Sequence, residues 1–95
     1  MRFLFDKQSK VDRTKEDLDL LIDILLSVNT KEKIENLLLG LLTPKEIEEF
    51  AQRIRLVQLL KKGVSQHEIA GKLGLGVATV SRGAKEIKMG RFQTV

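Results

Sequence analysis

The sequence predicts an all-α fold of five helices with a C-terminal helix-turn-helix, and three observations carry that expectation. Apolar residues recur at helical spacing, while apolar-polar alternation never persists beyond a few residues. Side chains that cap helices stand where each apolar run begins, and glycines stand where several end. The single proline, Pro44, falls at a helix start rather than inside one.

A first helix is expected from about Thr14, whose hydroxyl caps it, through Leu18–Leu26 to about Val28. Asn29 and Thr30 break and recap the chain, and a second helix follows from Lys31 to about Leu39. The third has the clearest start: Thr43-Pro44-Lys45-Glu46 combines a capping hydroxyl, a first-turn proline and a glutamate that closes the capping box. Its core face is read as Ile47, Phe50, Ala51, Ile54, Val57 and Leu60. Lys61-Lys62-Gly63 ends it, with cations at the negative helix end. Ser65-Gln66-His67-Glu68 is a second capping box that opens a short fourth helix closed by Gly74. The fifth helix runs from Val77 to about Lys88, and residues 89–95 carry too little apolar content to be expected as anything but a flexible tail.

Ninety-five residues suit one compact domain, with 13–62 as core and dimerisation helices and 65–88 as the helix-turn-helix. Cysteine is absent, so neither a disulfide nor a thiolate metal site holds the fold. No segment approaches a membrane span, and Met1–Asp6 holds too short an apolar run for a signal peptide, which makes the cytoplasm the expected location. With one histidine, no Cys or Tyr, and no metal-ligand or phosphate-loop spacing, no catalytic or metal site is expected and an enzyme is the weakest reading.

Leu18, Leu20, Leu21, Ile22, Ile24, Leu25, Leu26 and Val28 cover more than one face of the first helix, and so do Ile34, Leu37, Leu38, Leu39, Leu41 and Leu42 in the second. Such helices either form a core under the third helix or pack against a second copy of the chain. So short a chain buries them poorly alone, so a homodimer is expected.

Net charge is +4, and its placement matters more than its total. Residues 61–95 hold seven Lys/Arg against Glu68 and Glu86, whereas residues 1–60 hold ten basic and eleven acidic side chains. A basic excess confined to the last third is the footprint of a phosphate-binding face. Within residues 65–88, Ala70 offers the small side chain that two steeply crossing helices need, and Gly74 the turn between them. Ile69, Leu73, Leu75, Val80 and Ile87 can close a miniature core between the helices. That leaves Val77, Ala78, Ser81, Arg82 and Lys85 facing outward, with Thr79 beside them. Valine and alanine can touch a thymine methyl, and Ser81 and Thr79 can hydrogen-bond to bases or phosphates. The competing reading is a protein-interaction or adapter module that keeps the fold without a DNA target.

From Leu41 onward the chain resembles the Trp repressor superfamily, through Leu42-Thr43-Pro44-Lys45-Glu46, Arg53-Ile54-Arg55, Ser65-Gln66 and Ala78-Thr79-Val80-Ser81-Arg82-Gly83. Leu21-Ile22-Asp23-Ile24-Leu25 resembles the shorter Trp-repressor-like members, so the likeness covers roughly three quarters of the chain. The resemblance implies an interlaced all-helical homodimer that represses transcription on a palindromic operator in double-stranded DNA. It implies DNA contacts from Gln66, His67, Val77, Ala78, Thr79 and Ser81. His67, the one histidine, is either such a contact or an exposed residue of the cap.

The same resemblance implies a pocket for L-tryptophan, or another amino acid, at Leu42, Thr43, Arg53, Arg82 and Gly83. Two arginines suit an amino acid: one can clamp a carboxylate, the other stack on a ring. Alternatively Arg53 pairs with Glu49 one turn earlier, and Gly83 relieves a close helix crossing. Gly40 stands where the family has a leucine, Glu86 where it has a serine, and the loop before Ser65 is one residue shorter.

Overall fold

A computed structural model describes residues 10–95, with side chains from residue 13. The reading of Met1–Asp6 lies outside the described residues. Five helices and no strand occur among them: α1 (Lys10–Ser27), α2 (Lys31–Leu41), α3 (Pro44–Lys61), α4 (Gln66–Leu73) and α5 (Val77–Lys88). None is long and apolar enough to cross a membrane.

The helix starts follow from local hydrogen bonding. Thr30 Oγ1 accepts from the Lys33 amide at 3.1 Å and so caps α2. At α3 both halves of the box form: Glu46 N–H donates to Thr43 Oγ1 at 3.1 Å, and Thr43 N–H to Glu46 Oε1 at 2.9 Å. At α4 only the first half forms, Glu68 N–H donating to Ser65 Oγ at 3.2 Å. The first helix begins earlier than expected, so Thr14 lies inside it rather than at its cap. Favourable helix formers (Lys10, Arg13) extend it on the N-terminal side.

Contacts divide the chain into two compact units, the first ending at Leu41 and the second spanning Leu42–Val95. The third helix belongs with the helix-turn-helix, because its Leu56 and Val57 complete the core beneath α4 and α5.

That core consists of Leu56, Val57, Ile69, Ala70 and Val80, with Leu73, Leu75 and Ile87 packed around it. Ile69 and Val80 are fully buried, and Ala70 sits at the crossing, as the spacing predicts. The expected core face of α3 is only partly right. Val57 is buried, but Phe50 and Ile54 are 46% and 45% exposed in the isolated chain, and Leu56 takes an inward place instead. The helix carries two apolar stripes, and the one facing α4 and α5 runs through Leu56, Val57 and Leu60. In the first unit Leu20, Leu21, Leu25 and Leu26 remain exposed, as do Ile34 and Leu39 on α2.

Residues 89–95 depart furthest from expectation. Phe92 and Val95 pack against the core of the second unit, and Lys61 on α3 donates to the carbonyl oxygens of Phe92 and Val95. Two apolar side chains and one bridging ammonium thus place a segment whose composition alone predicts no structure.

Candidate nucleic-acid interface and ligand cleft

The turn between α4 and α5 is set by backbone chemistry. Gly74 closes α4 with φ 67°, in the left-handed region, where glycine avoids the steric cost of a Cβ. Its amide and that of Leu75 both bond back to the Ala70 carbonyl. Gly76 then opens α5 in extended conformation with no side-chain cap. The Thr79 amide bonds back to the Gly76 carbonyl at 3.1 Å, which leaves the Val77 and Ala78 amides of the first turn for an external acceptor.

Val77, Ala78, Thr79, Ser81, Arg82 and Lys85 are all exposed, while Val80 between them is fully buried. The buried side chain fixes the rotation of α5 about its axis, and the others form its outer face. Gln66 and His67 lie at the first turn of α4, and Gln66 adjoins that face. A hydrogen bond of 2.7 Å from Ser81 Oγ to Gln66 Oε1 ties the two helices there. His67 is exposed and makes no hydrogen bond through its ring; the cap belongs to Ser65.

On the side of α5 toward α3 lies a cleft of about 220 Å³. Arg53, Arg82 and Gly83, three of the five residues at which the family likeness implies a pocket, line it together with Thr79, Glu86 and Phe92. Leu42 and Thr43 do not line it; Thr43 is occupied as the cap of α3. The Arg53–Glu49 pair does not form. The Arg53 guanidinium stands instead over the Phe50 ring, 5.4 Å from its centroid. Gly83 has a structural cause: a Cβ there would collide with Leu56 Cδ1 and reach 3.7 Å from Leu60 Cδ1. The close α3–α5 crossing accounts for the glycine whether or not anything enters the cleft.

Glu86, noted in the sequence as a departure from the family at the pocket, does line the cleft, whereas Phe92 was not foreseen there. Glu86 counts as an uncompensated charge until Arg91 is seen beside it, with Nε 3.6 Å from Glu86 Oε1. Phe92 was assigned to the tail, and only its place as the last aromatic residue, among few, marked it. Among the described residues neither Arg53 nor Arg82 pairs with a carboxylate, so the cleft offers two positive groups beside apolar walls. A small molecule with a carboxylate and an apolar body fits that donor set.

Comparison with known proteins agrees with this architecture. The family model described as "Trp repressor protein" matches residues 16–94. A Trp operon repressor homolog of Vibrio campbellii is 35% identical over 74 residues, covering 77% of this chain and 74% of the relative. The homolog of Vibrio cholerae is 38% identical over 68 residues, covering 70% and 66% respectively. That of Xylella fastidiosa is 32% identical over 75 residues, covering 78% and 82%. These relatives are regulators by name, not enzymes. An all-helical chain matched over residues 16–94, with this turn geometry between α4 and α5, belongs to the Trp repressor family.

Proposed function

We propose that this chain is a sequence-specific DNA-binding transcriptional regulator, a repressor that acts as a homodimer inside the cell. The observation that carries the reading is the outer face of α5: an uncapped N-terminus followed by exposed Val77, Ala78, Thr79, Ser81, Arg82 and Lys85, held in rotation by buried Val80. In the major groove the first turn of such a helix reaches base edges, and its amides and cations reach phosphates. Gln66 adjoins the same face, with His67 next to it in the first turn of α4.

The dimer is supported by Leu20, Leu21, Leu25 and Leu26, which one chain leaves open to water. Two copies would set two reading helices about 34 Å apart, the spacing general to helix-turn-helix dimers on palindromic sites. Control by L-tryptophan or another amino acid is supported by the cleft, where Arg53 and Arg82 can hold a carboxylate. A ligand lodged between α3 and α5 would bias the tilt of α5, and by linkage the affinity for DNA.

The test is selection of duplex sites from a random pool, followed by gel shift across a salt series. A preferred palindrome whose affinity falls steeply with salt is expected. Binding that is absent, or insensitive to salt, would overturn the reading and favour a protein-interaction module.

A further inference from the structure

We propose that the segment after α5 completes the ligand cleft, with Phe92 selecting an aromatic over an aliphatic ligand and Arg91 keeping the cleft receptive to a carboxylate. The inference rests on the reading of that cleft as a ligand site.

The segment leaves α5 by a defined turn. The Gly90 amide bonds to the Ile87 carbonyl and the Arg91 amide to that of Glu86, each at 3.0 Å, while Gly90 takes φ 93°. Phe92 itself adopts φ 58°, a left-handed conformation that a bulky L-residue holds only when its surroundings impose it. The surroundings do so here. The ring is half-buried against the core, and the Lys61 ammonium, 31 positions earlier, gathers the carbonyls of Phe92 and Val95, the latter at 2.9 Å.

Two consequences follow for the cleft. Phe92 lines the cleft with Arg53 and Gly83, and so brings an aromatic side chain to whatever lies between α3 and α5. Aromatic partners gain from offset or edge-to-face packing beyond area burial, and aliphatic ones do not. Glu86 also lines the cleft and by itself would repel a carboxylate approaching Arg82. Its pairing with Arg91 at 3.6 Å offsets that charge. Lys61 acts as a positioning residue, since it touches the segment and does not line the cleft.

The experiment is calorimetric titration of the full chain with L-tryptophan and with L-leucine, comparing wild type, F92L, R91A and R91A/E86Q. F92L keeps apolar volume, so folding is retained and checked by circular dichroism. Expected are L-tryptophan binding to wild type, a loss of about fivefold in F92L, and L-leucine affinity changed less than about twofold. R91A weakens L-tryptophan about threefold and R91A/E86Q restores it. As a second readout, protein labelled with 4-fluorophenylalanine gives a Phe92 fluorine resonance, assigned by its loss in F92L, that shifts on L-tryptophan addition. Wild-type binding that F92L and R91A leave unchanged, with a static Phe92 resonance, overturns the role of the segment and leaves the cleft reading standing. No binding of either amino acid to wild type overturns the cleft reading and this inference together.

Discussion

Ser81 on α5 donates its hydroxyl to Gln66 Oε1 on α4 at 2.7 Å, linking the two helices on the face proposed for DNA. With Oε1 engaged, the Gln66 amide points its NH2 group away from Ser81 as a donor. The bond thereby couples the orientation of the first turn of α4 to that of α5. On this geometry S81A and Q66A weaken operator binding non-additively. A double-mutant cycle read by DNA titration is expected to give a coupling of about 0.5–1.5 kcal/mol. Additive losses would show that the two side chains act on DNA independently.

Lys85 lies two turns into α5, exposed and remote from the helix start where base edges are reached. It is expected to contact phosphate. K85A should weaken binding about equally on all duplexes and lower the magnitude of the slope of log affinity against log salt by about 1. Measuring that slope for wild type and variant checks it. A change in sequence preference with an unchanged slope would place Lys85 on bases instead.

Gly83 is the glycine at which an added Cβ would collide with a neighbour, Leu56, and their coupling is open to a stability test. G83A gains about 1 kcal/mol of helix propensity, but forces a methyl into Leu56, which is only 2% exposed. Overpacking of a closed core costs about 1–3 kcal/mol, so a net loss of up to about 2 kcal/mol is expected in urea unfolding. L56A alone should cost about 2–5 kcal/mol and leave a void into which the Gly83 methyl fits. The double variant should therefore be more stable than the sum of the singles predicts.

The second unit was the more legible part of the sequence, for physical reasons. Caps and turns are set within four or five residues, so Thr43-Pro44, Ser65 and Gly74 could be placed from their neighbours alone. Ile69, Ala70 and Val80 were legible because a helix-turn-helix admits few ways to close its small core. The inward stripe of α3 was not, since Phe50 and Ile54 are as apolar as Leu56 and Val57, and only the neighbours decide which pair is covered. Of the cleft, Arg53, Arg82 and Gly83 were legible through family likeness. Phe92 and Arg91 were not, because Phe92 is held by Lys61 from 31 positions away and Arg91 meets Glu86 only through the turn after α5.

The apolar face of the first unit yields the last prediction. Leu21 and Leu25 stand four residues apart on one side of α1 and are 48% and 50% exposed in the single chain. Burying them in a dimer removes apolar surface worth about 25 cal/mol per Å² from water, whereas a glutamate at either position would carry an unpaired charge into the interface. L21E and L25E should therefore shift the protein from dimer to monomer in sedimentation equilibrium at micromolar concentration. If α1 is marginal without its partner, its helical circular dichroism should fall in parallel. Binding to a half-site should persist weakly, because Val77 through Lys85 and their supporting core belong to the other unit. Binding to the full palindrome should lose the gain in affinity that comes from joining two half-sites. Variants that remain dimeric would show that the dimer uses another face.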